Sequence, residues 1–162
     1  MNATLARDLH PATVLWRPLA ESDIDEVAAL ERESHAAPWT AGNFRDALAT
    51  GYAMTVGVAD GSIIAYGVLL FAPGEAQILN LTVAPEARQR HLGRTLLRRF
   101  LSDARLRGAV QCFLEVRVSN LPAIGLYASE GFAPIARRMG YYPALGDTRE
   151  DALVMRKSLA EG

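Results

Sequence analysis

Two hydrophobic periods alternate along this chain, and the switches between them mark out a series of elements. The run TVLWRPL at residues 13–19 predicts a strand. Ser22 then stands ahead of Ile24, Val27, Ala28 and Leu30, whose spacing predicts a helix with Ser22 as its cap. Pro38-Trp39 breaks the chain, and Thr40 opens a second short helix through Phe44 and Leu48. Three strand-like runs follow, at about residues 52–59, 63–71 and 76–84, separated by DGS and APGE. Asp60-Gly61 is a strong hairpin signal, so these strands are expected to run antiparallel.

After Pro85 the period lengthens. Leu92, Leu96, Leu97, Phe100, Leu101 and Ala104 recur three or four apart, which predicts a helix that ends at Gly108. The run VQCFLEVRV predicts the next strand, and Asn120 to Glu130 a helix closed by Gly131. FAPIARRM and DALVMRKSL predict two final strands around a loop containing GYYPALGDT. The order is strand, two helices, three strands, helix, strand, helix, two strands, which predicts a mixed α/β sheet covered by helices. Residues 1–13 are expected to be a flexible leader and residues 14–159 a single domain.

Composition narrows the function classes. A chain of 162 residues, half of them hydrophobic and 22% charged, is long enough to bury one core without metal or disulfides. Cys112 is the only cysteine, which excludes an intrachain disulfide, offers no metal-ligand spacing and favours a cytoplasmic setting. No apolar run approaches the roughly 20 residues a membrane-spanning helix needs. The first fifteen residues carry Asp8 and His10 and lack the apolar core of a signal peptide. Neither a metal nor a membrane partner is expected.

Charge changes the picture more. The net charge is −1, yet residues 88–107 hold seven arginines against Asp103 alone, so this segment carries +6 and the remainder −7. Such asymmetry suits a polyanion bound at one place and a cation at another, although a helix with a solvated arginine face would read the same way. The segment lies between a strand and a helix start, where exposed backbone N–H groups and the helix dipole favour phosphate. It is no Walker loop, for Lys157 is the only lysine, and Gly93 stands alone where a dinucleotide fingerprint needs three glycines. Nucleic acid is not expected as a partner, because only Phe100 is aromatic within 88–107 and single-strand binding interleaves aromatics with charge.

RQRHLG ahead of a helix resembles motif A of the GCN5-related N-acetyltransferases (GNAT), whose amides cradle the pyrophosphate of acetyl-coenzyme A. The resemblance continues through APW, ILNLTV, FLEVRVSNLPAIGLYASEGF, GYYP and EDALVM, blocks similar to the RimI branch, the ribosomal-protein-alanine N-acetyltransferases. It covers residues 14–159. It implies an α/β (α+β) GNAT fold, a mixed and mostly antiparallel sheet flanked by helices, with a splayed parallel strand pair at the cofactor site. It further implies that Arg88, Gln89, Arg90, His91, Leu92, Gly93 and Arg94 hold the pyrophosphate, and that the backbones of Leu81, Thr82 and Val83 hold the pantetheine arm and polarise the acetyl carbonyl. His91 stands where the family places a glycine; histidine tolerates a positive φ better than most residues.

In FLEVRVSN the alternation sets Phe113, Glu115 and Arg117 on one face of the strand and Leu114, Val116 and Val118 on the other. A carboxylate in an otherwise apolar strand is costly unless it is paired or functional. A salt bridge to Arg117 or another arginine would satisfy it; the resemblance implies instead that Glu115 is the general base, directly or through water. Tyr127 is by spacing a helical core tyrosine, and by resemblance the general acid that protonates the departing thiolate. Asn120 suits a helix N-cap, and the resemblance adds a cofactor contact. Trp39, Tyr141 and Tyr142 lie in loops that flank the peptide channel of related enzymes, although loop packing alone would also explain them. The resemblance thus implies acetylation of a protein N-terminus, the alanine of small-subunit ribosomal protein number eighteen, by a monomer or weak dimer. Acetylation of lysines or small amines, and a noncatalytic acyl-coenzyme A sensor, are the alternatives.

Overall fold

The computed structural model describes residues 13–160; residues 1–12 of the expected leader lie outside them. Seven strands and four helices follow one another as β1 (Leu15–Pro18), α1 (Ile24–Ser34), α2 (Ala41–Thr50), β2 (Ala53–Ala59), β3 (Ser62–Ala72), β4 (Glu75–Val83), α3 (Leu92–Leu106), β5 (Gln111–Arg117), α4 (Leu121–Ser129), β6 (Ala133–Pro143) and β7 (Arg149–Ser158). The element order is the expected one. The strands form one mixed sheet in the order β1-β2-β3-β4-β5-β7-β6, with β4 and β5 parallel. Among the described residues no helix is long and apolar enough to cross a membrane.

The chain divides into two compact units, the first holding residues up to Leu69 together with Asn80–Arg99, the second Leu70–Leu79 and the chain from Phe100 onward. In the first unit β1 pairs antiparallel with β2, and β2 with β3 through the Asp60-Gly61 turn, where both residues take positive φ, 49° and 77°. That is the backbone a tight two-residue hairpin requires. The β2–β3 register shifts at Gly57/Val58. A side chain at Gly57 would meet the Trp16 ring at 2.7 Å, so the close approach of the indole requires glycine there. Ile24, Val27 and Phe44 are buried from the helices, and Ile64, Tyr66 and Leu69 from β3. Each large apolar side chain buried in this way contributes about 1.5–3 kcal/mol.

Two local starts were legible and one was not. Thr40 caps α2, its hydroxyl accepting from Asn43 N at 3.1 Å while Asn43 Oδ1 accepts from Thr40 N at 2.9 Å. Asn120 Oδ1 accepts from Ala123 N at 3.3 Å at the start of α4. Ser22 is not the cap of α1: it sits inside a 3₁₀ turn, Glu21–Asp23, and α1 begins after Asp23. The Asp23 carboxylate accepts from Ala20 N at 2.8 Å and takes two bonds from Arg17, at 2.6 and 2.9 Å. A serine hydroxyl cannot form that bidentate, charge-assisted pair.

In the second unit β4 pairs in parallel with β5 over Glu75–Ile78 and Gln111–Leu114, β5 pairs antiparallel with β7, and β7 with β6. Cys112, Leu114 and Val116 are buried on one face of β5, while Phe113, Glu115 and Arg117 are half-buried on the other, as the alternation predicts. Burial pushes the Cys112 thiol up to about 12. The expectation that Tyr141, Tyr142 and Pro143 lie in a loop is corrected. β6 continues past an irregularity between Arg138 and Tyr142 and pairs Tyr142 with Glu150 and Pro143 with Arg149. Gly140, at φ 57°, lets the strand bulge, Asp151 Oδ1 accepts from Gly140 N at 2.8 Å, and Arg149 donates to the carbonyls of Gly140 and Tyr141.

Candidate functional site

In the first unit β4 runs out through Leu81, Thr82 and Val83, and the chain turns through a 3₁₀ segment, Pro85–Ala87, into Arg88–His91 and then α3. Gln89 and His91 both stand at φ 63°, the left-handed region. His91 therefore adopts the backbone conformation for which glycine is the usual choice. Its carbonyl accepts from Thr95 N at 3.0 Å and from the Thr95 hydroxyl at 2.9 Å, so His91 is the residue from which α3 departs. Leu92 is buried and anchors the first turn, whereas Arg88, Gln89 and His91 are exposed. Arg88 Nε donates to Val83 O at 3.2 Å, tying the loop back to β4. A left-handed pair of residues ahead of a fifteen-residue helix, with Arg88, Arg90, Gly93 and Arg94 around them, suits a pyrophosphate.

Thr82 is the one polar residue of Leu81–Val83 that is buried, and it leads to a network the sequence did not announce. Glu31, only 2% exposed, accepts from Tyr66 Oη at 2.5 Å and Asn80 Nδ2 at 3.0 Å through Oε1, and from Trp39 N at 2.9 Å through Oε2. The Thr82 hydroxyl donates to Asn80 Oδ1 at 2.7 Å and lies 2.8 Å from His35 Nε2, which is 3.4 Å from Glu31 Oε1. Burial, then the bond to Glu31, pushes the Tyr66 hydroxyl far above its ordinary range. Glu31 thus joins α1, the Pro38-Trp39 segment, β3 and the second half of β4. Its signal in the sequence was its position on the stripe of Ile24, Val27 and Ala28, where a carboxylate is out of place.

In the second unit Glu115 projects from β5, its side chain 16% exposed. Arg138 Nε lies 2.9 Å from Glu115 Oε1, and the neighbouring Glu115 carboxylate, together with burial, raises the pKa of the Tyr141 hydroxyl. Arg117 is not its partner: it pairs with Glu150 at 3.2 Å, donates to Pro143 O at 2.8 Å and stacks on the Tyr142 ring at 4.5 Å. Glu150 in turn accepts from Ser119 N, and these contacts hold its carboxyl below the usual range. Burial, and next the Glu115 charge, pushes Tyr142 up to about 12. Tyr127 is buried in α4 against Phe132, with ring centroids 5.9 Å apart, and burial raises its pKa strongly, Tyr142 adding to it.

A cleft of about 290 Å³ opens over this face, lined by Leu70, Gln77, Phe113, Glu115, Ile135 and Arg138 among others. The second unit therefore brings together Glu115, Tyr141 and Tyr142, and places Tyr127 beside Tyr142. The first unit holds Trp39, whose backbone Glu31 fixes and whose ring tilts on Phe44 at 5.2 Å. Sequence reasoning missed Glu31, His35, Tyr66, Asn80 and Arg138. Arg138 left no signal, because its meeting with Glu115 depends on the strand order: β7 lies between, and its small Ala152, opposite both Arg117 and Arg138, leaves room for the arginine to reach across. Among the described residues no cluster of His, Cys, Asp or Glu is suited to a metal ion.

Residues 19–132 match the family model described as Acetyltransferase (GNAT) family. The chain is 34% identical over 137 residues to the ribosomal protein bS18-alanine N-acetyltransferase of Escherichia coli (strain K12), spanning 85% of this chain and 92% of that one. It is 37% identical over 147 residues to the putative bS18-alanine N-acetyltransferase of Bacillus subtilis (strain 168), spanning 90% and 95%. The crystal structure of the ribosomal-protein-S18-alanine N-acetyltransferase from Escherichia coli superposes with a TM-score of 0.85 at 31% identity, covering 92% of this chain and 96% of that one. The architecture expected from the motifs is thus that of a known acetyltransferase.

Proposed function

This chain belongs to the acetyltransferase (GNAT) family, and on that footing we propose that it transfers acetyl from acetyl-coenzyme A to the N-terminal α-amine of a protein, in particular the N-terminal alanine of ribosomal protein bS18. The observation that carries the substrate is the 34% identity to the Escherichia coli enzyme across 92% of its length. Acetyl-coenzyme A supplies the activated acetyl thioester. The loop Arg88–Arg94 holds its pyrophosphate with backbone amides and guanidinium groups. The backbone of Leu81, Thr82 and Val83 takes the pantetheine arm and polarises the carbonyl, a fixed N–H being worth most where negative charge develops on oxygen. Asn120 contributes a further polar contact.

Glu115 takes a proton from the substrate ammonium, directly or through a water molecule. The free amine forms a C–N bond to the acetyl carbon as the C–S bond breaks, and Tyr127 gives its proton to the departing thiolate. The amide nitrogen sheds its second proton, and proton exchange with solvent resets Glu115 and Tyr127. The raised pKa of Tyr127 supports this role, since a general acid has to hold its proton at neutral pH. For an α-amine of pKa about 7.8, deprotonation at pH 7.4 costs only about 0.5 kcal/mol, against about 4 kcal/mol for a lysine, so a carboxylate base suffices. Trp39, Tyr141 and Tyr142 border the peptide.

The test is incubation with acetyl-coenzyme A and a peptide that begins with alanine, continues with basic residues and contains an internal lysine. Mass spectrometry should locate acetyl on the α-amine, and a peptide blocked at that amine should not react. Acetyl found mainly on the lysine would replace this reading with that of a lysine acetyltransferase. Donor binding without turnover would point to a sensor.

A further inference from the structure

The Glu115–Arg138 pair is unequal. Glu115 is mostly buried, whereas the Arg138 side chain is 56% exposed. Among the described residues that line the cleft, Arg138 is the one cation, facing Glu75 and Glu115, and Glu75 is already engaged by Gln111 Nε2 at 2.8 Å. A carboxylate in such a place needs a positive partner, but an ion pair with a half-exposed arginine is held weakly. Arg138 has a second contact in the same place. Its guanidinium carbon lies 5.5 Å from the Tyr141 ring centroid, within range of a cation–π contact, at the point where β6 leaves its register. The bulge itself is pinned by Asp151, which binds Arg137 at 2.6 Å and Gly140 N, so the Arg138 side chain can swing while the backbone stays.

We propose that Arg138 is a built-in competitor of the substrate amine: its guanidinium occupies the Glu115 carboxylate in the free enzyme, and the ammonium of an incoming polypeptide N-terminus displaces it. The inference rests on Glu115 being the base of the proposed reaction. Exchanging one cation for another spares the largely covered carboxylate an unpaired state, which an uncharged ligand would impose. Once the amine has become an amide its positive charge is gone, and Arg138 returns to Glu115 and drives the product out. The arginine thereby makes the cleft selective for the charged, unacetylated N-terminus over the neutral product.

Replacing Arg138 by methionine keeps the bulk and removes the charge. KM for the alanine-initiated peptide should fall about two- to fivefold, the range that an exposed ion pair spans. The inhibition constant of the N-acetylated product peptide should fall by at least as much, while Arg138→Lys, which keeps a competing cation, should stay near wild type in both. Arg138→Gln carries the same expectation as methionine, and thermal melting checks that each variant is folded. An unchanged or raised KM in the folded Met and Gln variants, or an unchanged product inhibition constant, would overturn the inference and leave Arg138 a structural or substrate-contacting residue. Failure of the wild type itself to acetylate the α-amine would instead remove the proposed function.

Discussion

The Tyr66 hydroxyl donates to the Glu31 carboxylate at 2.5 Å, 35 residues away along the chain, and both side chains are almost wholly removed from water. Burying a carboxylate is tolerable here because three donors converge on it, from Tyr66, Asn80 and Trp39. Tyr66→Phe keeps the ring that packs edge-on to Phe44 but removes one of those donors. The variant is expected to lose about 1–3 kcal/mol of stability, the usual cost of leaving a buried polar group short of a partner. Chemical denaturation measures it, and a loss below about 0.5 kcal/mol would show that the network relaxes around the gap.

The left-handed backbone at His91 separates two roles for that residue. If its conformation is what the loop needs, His91→Gly should leave acetyl-coenzyme A affinity within about threefold of wild type, because glycine reaches φ 63° without strain. A loss of tenfold or more would make the imidazole itself a phosphate ligand. Arg94→Glu should raise the dissociation constant about 10- to 100-fold, as expected for losing a hydrogen bond to a charged group, with the fold intact. Calorimetry with acetyl-coenzyme A reads both variants, and unchanged affinity in Arg94→Glu would remove the loop from the donor site.

Glu115 and Tyr127 should fail in different ways. Glu115→Gln should lower kcat/KM most at low pH, with the deficit shrinking as pH rises past about 7.8, where the α-amine loses its proton unaided. Tyr127→Phe should lower kcat by about 10²- to 10⁴-fold across the neutral range, since burial holds the Tyr127 proton in place far above neutral pH. Rate profiles on a peptide substrate distinguish the two. Near wild-type turnover in both variants would make them structural residues.

What the sequence determined by itself was local. Helical spacing from Leu92 to Ala104 placed α3, and each of those six apolar positions is buried. Thr40 and Asn120 announced their helices because a cap is a bond between residues three apart. Asp60-Gly61 announced its hairpin through the backbone angles those residues accept, and the alternation along β5 correctly turned Glu115 away from the buried face. Tertiary structure decided which charges and hydrogen-bonding groups meet. Glu31 finds Tyr66 and Asn80 only once α1 lies over β3 and β4, and Arg138 reaches Glu115 only because β7 threads between β5 and β6 with Ala152 under the crossing. The bulge that keeps Tyr141 and Tyr142 within β6 likewise depends on Asp151 and Arg149 of the neighbouring strand. Caps, turns and periodicities are settled among residues a few positions apart, whereas pairing between distant strands depends on register, which no short stretch of sequence contains.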